Sequence, residues 1–489
     1  MIKTFSFILV AVIAVLFVVL VIRVGSFKSR QVIAEPTQTL AISRAAAVAH
    51  LSEAIQLKTV SMQTPAANAG EFVALHALME RAFPRVHREL TKESVGDHSL
   101  LFTWRGKDER LKPILLMAHM DVVPVDPTTE SSWHHAPFSG EVADGYIWGR
   151  GAMDDKESVF AILEAVESLL TSNFRPERTI YLAFGYDEEI GGINGAAKIA
   201  ALLSSRHVEL ECIVDEGLNV FTGIISGLDS PAALIGIAEK GYLSLQLSVE
   251  TAGGHSSMPP EHTAIGTLTG ALQRLQGAPF PARLSRPTRG MFEFLGPEMS
   301  FDKKVVLANL WLFSPLLEKT LAQSPRTNAL LRTTLAPTML NAGITDNVLP
   351  SKASAVVNLR IIPGESIASA TQYVRQVIAD PTVTILPFPI ASEPSAVSNV
   401  DTASFAVLHK TIHQTIPAAV VAPALLVAST DSRHYRSLTK NVFRFLPVTV
   451  GPEDISRYHG IDERISVEDY ERCIRFYAQL IINFNAPMR

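Results

Sequence analysis

The sequence predicts an α/β protein into which a second, smaller α+β unit is inserted. From residue 50 onward, short apolar runs alternate with helical patterns, an order typical of strands joined by helices. Three of these runs, at residues 114–118, 179–184 and 212–214, are continuously apolar, as are strands buried on both faces of a parallel sheet. From Gly241 the pattern changes to alternating strands and two helices, which indicates the inserted unit.

Length and composition are those of a folded protein with roughly two to four structural units. The chain has 489 residues, 47% of them hydrophobic and 19% charged, which is enough to bury a large core. The 43 Lys and Arg against 48 Asp and Glu give a formal charge of −5, so electrostatics offers no case for a nucleic-acid partner. The two cysteines, Cys212 and Cys473, belong to no CxxC pattern and are predicted to be small buried hydrophobes.

The N-terminus predicts a membrane anchor in residues 1–23. Residues 5–22 contain Ser6 as the only polar residue and would span about 27 Å as a helix. A cleaved signal peptide is the alternative, but no clear A-x-A site follows the apolar run. Basic residues flank both ends, so the charge asymmetry is small. We expect a single-pass membrane protein, extracytoplasmic in location, with residues 24–46 as a linker.

Polar and acidic side chains follow each of the three apolar strands. The first strand ends in His119 and Asp121, the second in Glu188 and Glu189 after Asp187, and the third in Asp215-Glu216. Because strand C-termini in open α/β sheets meet at one crevice, three such endings predict one site.

Two further segments contribute to this predicted site. The turn GRGAMDDK at residues 149–156 leads into an amphipathic helix, but Asp154 stands where a dinucleotide fingerprint needs its third glycine. A carboxylate there would repel a pyrophosphate, so dinucleotide binding is excluded. Near the C-terminus, His459 lies in YHGIDE, just before a helix opened by the capping pair Ser466 and Asp469.

Several carboxylates and two imidazoles in one crevice predict a pair of divalent cations that offsets their mutual repulsion. Nitrogen and oxygen ligands without thiolate favour two Zn²⁺, with Mn²⁺ or Co²⁺ as the lesser options. Such a pair normally needs a bridging carboxylate and makes hydroxide available near neutral pH. The predicted chemistry is hydrolysis.

Six ordered motifs resemble the M20 metallopeptidases, and most of all the carboxypeptidase S and N-fatty-acyl-amino-acid hydrolase branch. They are LLMAHMDVVPV, GRGAMDDK, DEE followed by two glycines, DEG, GGHS and YHGIDE, and the likeness covers about residues 45–485. The resemblance implies a phosphorylase/hydrolase-like zinc-peptidase catalytic domain with an inserted ferredoxin-like α+β lid domain. It also implies cleavage of an amide next to a free carboxylate, in a small peptide or an N-acyl amino acid.

The resemblance assigns roles to the residues of the predicted site. It makes Asp154 the bridging ligand, with His119 on one metal and Glu189 and His459 on the other. Asp121 would orient the imidazole of His119, and Glu188 would be the general base. The fifth ligand is Asp215 or Glu216, which cannot both face the metals from one strand, and we choose Asp215. The resemblance further implies a cis peptide bond between Asp154 and Asp155.

The lid is predicted at residues 241–392, between the two parts of the catalytic domain at 47–240 and 393–489. Its β-α-β-β-α-β order matches a ferredoxin-like unit. By resemblance, His255 would stabilise the oxyanion, Asn347 and Arg360 would hold polar substrate groups, and the chain would form a homodimer. Asp431 and Arg433 are interpreted as recognising the substrate carboxylate, with a simple ion pair between them as the alternative.

An extra stretch at residues 277–332, largely apolar over 291–321, lies inside the predicted lid. We expect it to lengthen the lid helices and pack internally; the alternative is a tunnel for an acyl chain or a contact with the bilayer. A rival hypothesis for the whole chain is a non-catalytic, membrane-anchored binding protein on the same fold. That hypothesis predicts the loss of the base or of ligands, yet Glu188 and all candidate ligands are present.

Overall fold

The computed structural model describes residues 2–36, 42–61 and 68–485. The helices are α1 (Ile2–Ser26), α2 (Arg44–Gln56), α3 (Ala69–Ala82), α4 (Pro84–Glu89), α5 (Lys156–Thr171), α6 (Ala196–Ser205), α7 (Ala264–Gly277), α8 (Arg286–Leu295), α9 (Phe301–Ala308), α10 (Leu310–Leu321), α11 (Pro325–Asn328), α12 (Ile367–Ile378), α13 (Ala403–Thr415) and α14 (Val467–Asn485). The strands are β1 (Thr91–Val95), β2 (Ser99–Trp104), β3 (Ile114–His119), β4 (Val142–Ala143), β5 (Tyr146–Trp148), β6 (Ile180–Gly185), β7 (Cys212–Phe221), β8 (Ala232–Glu239), β9 (Gly241–Glu250), β10 (Gly254–His255), β11 (Thr334–Ala342), β12 (Val348–Leu349), β13 (Lys352–Ile361), β14 (Thr384–Ser392), β15 (Val420–Leu426), β16 (Val442–Val450) and β17 (Arg464–Ser466).

The catalytic part is built on an eight-stranded mixed sheet of order β1-β2-β6-β3-β7-β16-β8-β15. Strands β6, β3, β7 and β16 run parallel to their neighbours in the centre, and β1 and β2 form an antiparallel edge. The mixed α/β fold is thus as predicted. The sheet combines strands from both ends of the chain, since β15 and β16 follow the inserted unit in sequence.

Strand β3 shows why the central strands are continuously apolar. Ile114, Leu116 and Ala118 face one hydrophobic core, while Leu115 and Met117 face a second core on the other side of the sheet. Helices α5 and α14 pack in the first core and α6 in the second. Successive side chains of a strand point to opposite faces, so a strand covered on both faces needs apolar residues at every position.

The inserted unit has a sheet and a core of its own. Its four antiparallel strands have the order β11-β13-β9-β14, and helices α7 and α12 cover one face. Leu243, Leu245 and Leu247 of β9 alternate with more polar residues and point into this core. The chain order of these elements is the β-α-β-β-α-β order expected from the sequence. We refer to these six elements, together with β10 and β12, as the small unit.

Helices α8 to α11 differ from expectation. They lie between α7 and β11 in sequence, but Met291, Phe292, Phe294 and Leu295 of α8 belong to the core of the large sheet and not to that of the small unit. Short apolar helices carry no information on which of two cores they join, so the sequence could not decide this. The extra stretch therefore enlarges the catalytic part.

Helix α1 has the length and apolarity of a membrane anchor or a signal sequence, and both cysteines are buried as predicted. Within the described residues, Thr4–Ser26 is the helix long and apolar enough to cross a membrane, with a mean hydropathy of 3.4. Cys212 begins β7 and Cys473 lies in α14, and both are free and fully buried.

Candidate active site

The ends of three neighbouring strands bring the predicted chemical groups to one edge of the large sheet. His119 is the last residue of β3 and lies opposite Gly185, the last residue of β6. The turn after β6 carries Glu188 and Glu189, while β7, on the other side of β3, carries Asp215 and Glu216. The sheet order places these segments side by side, as parallel strands predict.

Two groups of side chains at this edge have the spacing of metal ligands, and they share one residue. His119, Asp154 and Glu216 form the first group, and Asp154, Glu189 and His459 form the second; within each group the ligand atoms lie within 4.8 Å of one another. Asp154 Oδ1 lies 3.0 Å from His119 Nε2, and Asp154 Oδ2 lies 3.0 Å from His459 Nε2. Each carboxylate oxygen thus faces a different histidine, the arrangement of a bridging ligand.

The loop that carries Asp154 is held in place by Glu463, a residue of YHGIDE that has no role in the sequence analysis. Its fully buried carboxylate accepts hydrogen bonds from the backbone N–H groups of Gly151 at 2.8 Å and Met153 at 2.9 Å. It also pairs with Arg150 at 2.6 Å. The sequence offered one weak signal: GRG contains an arginine and YHGIDE a glutamate. In the structure these two residues form the buried ion pair. The cis peptide bond between Asp154 and Asp155 is present as expected.

Asp121 links two of the strand ends. Its carboxylate accepts hydrogen bonds from the backbone N–H groups of Glu188 and Glu189, both at 3.1 Å. The same side chain lies 3.3 Å from His119 Nδ1, and the Asp121 carbonyl oxygen lies 2.9 Å from that nitrogen. One buried carboxylate therefore fixes the imidazole orientation and the start of the acidic turn together.

The spacing brings Glu216, and not the chosen Asp215, within ligand distance of His119 and Asp154. Asp215 is buried and accepts a hydrogen bond from the backbone N–H of Ser432 at 3.0 Å. The pairing of β7 with β16 shifts between Asp215 and Leu218, so that Glu216 and Gly217 form a bulge. A bulge interrupts the regular alternation of side chains between the two faces of a strand. The choice between Asp215 and Glu216 from the sequence assumed that alternation.

Glu188 belongs to neither ligand group, although it is adjacent to Glu189. Its carboxylate is nearly buried, and Arg433 Nη2 lies 3.8 Å from its Oε1. Burial raises the pKa of Glu188 well above its ordinary value, and the nearby carboxyl of Asp431 raises it further. A carboxyl group of raised pKa beside the ligand groups is suited to accepting and releasing a proton.

The donor set fits a pair of divalent cations. Asp154, Glu189 and Glu216 bring three carboxylates together, and among the described residues the ion pairs of Asp154 and Glu189 are with His119 and His459 only. Burial raises the pKa of Glu216 well above its ordinary value, and Asp154 adds to the shift. Carboxylates without Lys or Arg counter-charges need cations, and imidazole and carboxylate ligands without thiolate suit zinc.

A group of cations lies on the small-unit side of the site. Arg360 of β13 stands 4.7 Å over the ring of Tyr242, and burial followed by the positive charge of Arg433 lowers the pKa of Arg360. Lys240, which the sequence did not single out, is buried at the junction of β8 and β9, and burial lowers its pKa to about 7. Arg360, Arg433 and Lys240 thus form a cationic region at the boundary of the two units.

Asp431 lies beneath the site and not in this cationic region. Its side chain fills space next to Gly185 and Gly192, where an added Cβ would come within 2.5 and 2.0 Å of its oxygens. Burial raises its pKa well above the ordinary value. Arg433 pairs with Glu188 and not with Asp431, so the geometry favours neither the predicted substrate contact of Asp431 nor the simple ion pair.

His255 and Asn347 lie together at the far tip of the small unit. Strands β10 and β12 pair there, with His255 opposite Val348, and His255 Nδ1 accepts a hydrogen bond from the backbone N–H of Ser257 at 3.1 Å. Both side chains are exposed. Arg360 lies near the other end of β13, eight residues beyond Lys352 at the tip, or about 26 Å along the strand. The structure therefore does not bring His255 and Asn347 to the ligand groups of the same chain.

The model of Peptidase family M20/M25/M40 matches residues 115–483 of the chain. The chain is 45% identical to the "Probable carboxypeptidase S-like 2" of Dictyostelium discoideum, over 84% of this chain and 79% of the relative. It is 42% identical to the "N-fatty-acyl-amino acid synthase/hydrolase PM20D1" of Xenopus tropicalis, over 88% and 85%.

Solved structures share the fold at low sequence identity. The M20 family metallo-carboxypeptidase Sso-CP2 from Sulfolobus solfataricus matches with a TM-score of 0.66 and 17% identity, over 90% of this chain and 99% of that chain. The YXEP protein of Bacillus subtilis, described as a dinuclear metal binding peptidase, matches with a TM-score of 0.56 and 12% identity, over 90% and 98%.

Proposed function

The chain belongs to Peptidase family M20/M25/M40 and is a hydrolase of the metallo-carboxypeptidase type, and from this we propose that it hydrolyses an amide bond next to a free carboxylate at a di-zinc centre. The observation that carries the proposal is the sharing of Asp154 by two ligand groups, with Glu188 next to them but in neither. This arrangement supplies a place for two cations and a separate base.

The two cations would be held by His119, Asp154 and Glu216 on one side and by Asp154, Glu189 and His459 on the other. When bound, they would supply Lewis-acid polarisation and lower the pKa of water. Asp121 would hold the His119 ring and the Glu188-Glu189 backbone in place during the reaction. Glu463 would do the same for the Asp154 loop.

Glu188 would act as the general base. Its carboxylate would accept a proton from the attacking water at Oε and then deliver that proton to the leaving amide nitrogen. Arg433 is close enough to steady the charged form, while burial favours the protonated form that follows. A carboxyl group under these two opposed influences can take up a proton in one step and release it in the next.

The free carboxylate of the substrate would bind between Arg360 and Arg433. The positive charge of Arg433 is close enough to lower the pKa of Arg360, and two such guanidinium groups repel unless an anion lies between them. Lys240 lies near enough that the charge of Arg360, after burial, lowers its pKa, and an anion bound here would favour its charged form. This site selects the carboxylate side of the substrate and leaves the acyl side open, so a small peptide and an N-acyl amino acid both satisfy it.

His255 would stabilise the oxyanion from a partner subunit, with Asn347 beside it. The separation of about 26 Å along β13 between the tip and Arg360 supports action across a homodimer, since one substrate cannot touch both ends of the strand. Helix α1 would anchor the chain in a membrane, with the catalytic part on the extracytoplasmic side; its length and apolarity support the anchor.

The proposal is tested on the purified full-length chain with a panel of paired substrates. Each pair is an N-fatty-acyl amino acid or a dipeptide and the same compound with its carboxylate converted to an amide. We expect hydrolysis of the free acids, abolished by chelation and by Glu188→Ala, and little hydrolysis of the amidated partners. Arg360→Met should raise KM for the free acids and leave the amidated partners unchanged. Equal turnover of both members of each pair would contradict the carboxylate site.

A further inference from the structure

The surface of helices α9 and α10 next to α1 carries an apolar face that the proposed chemistry does not use. We propose that this face, formed by Phe301, Trp311, Leu312 and Leu316, lies in the headgroup and acyl boundary of the membrane that α1 spans. The inference rests on the proposed anchor and goes beyond it, because it fixes the orientation of the catalytic part on the bilayer.

Helix α10 is apolar on both sides. Leu310, Leu317 and Leu321 pack against the large core. The opposite side exposes Trp311 by 54%, Leu312 by 38% and Leu316 by 60%, at the spacing of one helical face. Phe301, at the start of α9, is 73% exposed and adds an apolar side chain on the helix that packs against both α1 and α10. A surface helix in water carries polar residues on its outer side, so this pattern indicates an apolar partner.

Helix α1 packs directly on α9 and on the junction to α10. Leu16, Val19, Leu20 and Val24 are half-buried along one stripe of α1, while the other faces of α1 are exposed. Asn309, between α9 and α10, donates a hydrogen bond from Nδ2 to the carbonyl oxygen of Leu20 at 3.5 Å. The Arg23 guanidinium lies 5.8 Å from the centre of the Trp311 ring.

These contacts set the depth of α10. Leu20 precedes the end of the apolar run at Ile22, so Asn309 lies level with a residue that a spanning α1 would place inside the hydrocarbon. One turn further along α1, Arg23 lies at the level of the membrane–water interface, and its guanidinium is next to the indole of Trp311. Trp is enriched at this level of bilayers because its ring is apolar and its N–H is polar.

The segment after α1 keeps the orientation fixed. Phe27 packs against Gly296, which directly follows α8, in the region where Leu307 near the end of α9 also contacts Gly296. Gln31 binds the edge strand β15: its Oε1 accepts from the backbone N–H of Val421 at 2.8 Å, and its Nε2 donates to the Val421 carbonyl oxygen at 3.0 Å. The first part of the predicted linker is therefore attached to the catalytic part.

A bilayer fits this face better than a second protein does. When α1 spans a membrane, its contacts with α9 hold the α10 face against the lipid. No aqueous space then remains in which a second protein could bind this face. The apolar residues are accompanied by basic ones, Arg23 beside Trp311 and the exposed Lys319 one turn after Leu316 on α10, as in interfacial helices.

Trp311 offers a direct test, because the other three tryptophans, Trp104, Trp133 and Trp148, are buried. The full-length chain is reconstituted into phosphatidylcholine vesicles with and without bromine on the acyl chains, and tryptophan emission is compared. We expect brominated lipid to quench an emission component that is absent in Trp311→Phe, most strongly with bromine near the headgroup. Leu316→Glu should reduce this quenching, whereas Val73→Glu, at an equally exposed position on α3, should not.

The outcomes separate the inference from its premise. If the chain stays with the vesicles at alkaline pH but brominated lipid does not quench Trp311, the docking of α10 is overturned and the anchor stands. If alkali releases the chain, the anchor fails and the docking fails with it. Neither result touches the amide hydrolysis, which is measured on the same samples in detergent.

Discussion

At the scale of single residues, the separation of Glu188 from both ligand groups gives a clear expectation. Glu188→Ala should keep two metals per chain and lose about 10²–10⁴ in kcat, because proton transfer fails while ligation does not. Metal content and single-turnover kinetics on the same preparation measure both quantities. A variant with an empty site would contradict the assignment of Glu188 as the base.

The neighbours Asp215 and Glu216 give a matched pair of changes. Glu216→Gln should lose one of the two metals, because its carboxylate belongs to the group of His119 and Asp154. Asp215→Asn should keep both, since an amide oxygen can still accept the hydrogen bond from Ser432. Metal analysis after dialysis distinguishes the two variants, and the reverse result would restore Asp215 as the ligand.

The residues show where inference from the sequence succeeds and where it stops. Four of the five residues chosen as metal ligands meet in the two groups, because each follows a buried strand or a glycine-rich turn that sequence patterns reveal. The fifth depends on a bulge between Asp215 and Leu218, which no local pattern predicts. The position of Asp431 beneath the site and the contacts of Glu463 could not be predicted, since the surroundings of a buried carboxylate depend on neighbours distant in sequence.

At the scale of elements, His409 of α13, whose Nε2 lies 3.3 Å from Gln31 Oε1, predicts a pH dependence of stability. Burial, and then the charge of His413, lower the pKa of His409 from 6.5 to about 4. The unfolded chain therefore binds a proton more readily than the folded one between these values. The free energy of unfolding should fall as the pH drops from 6.5 towards 4, by at most about 3 kcal/mol from this residue.

The matched variant is His409→Phe, which keeps a ring but cannot take up a proton. The melting temperature of the wild type should fall more steeply than that of the variant between pH 6.5 and 4.5, and the difference between the two slopes isolates His409 from the active-site groups. Parallel slopes in scanning calorimetry would contradict this account.

Elements with strong periodicity were predictable. The strand expected at residues 114–118 is β3, Ile114–His119, and the strands of the small unit lie close to the expected positions. The sequence could not show which of the two hydrophobic cores each helix joins. The apolar helices α8 to α10 could join either core, and only the packing of α8 on β15 and the inclusion of Leu307 and Leu310 in the large core show which one they join.

At the scale of the whole molecule, the position of His255 predicts activity across a dimer. His255→Ala should lower kcat by about 10²–10³ with little change in KM, because the oxyanion forms only in the transition state. Mixed in equal amounts with Glu188→Ala, it should recover about a quarter of the wild-type activity, since half of the dimers are mixed and each has one complete site. No recovery in verified mixed dimers would place His255 outside the catalytic machinery of its partner.

Strand β16 has a consequence for how the protein is made. It lies in the sheet between β7 and β8, although about 220 residues separate it from β7 in sequence. At ribosomal speeds of about 5–20 residues per second, the edge of β7 waits roughly 10–40 s for its neighbour. During that interval the bulge that aims Glu216 has no partner strand, and His459 has not been synthesised. The nascent chain therefore exposes an open, apolar sheet edge, which makes it a client for chaperones. A premature stop before residue 442 would yield an aggregation-prone fragment and not a weaker enzyme.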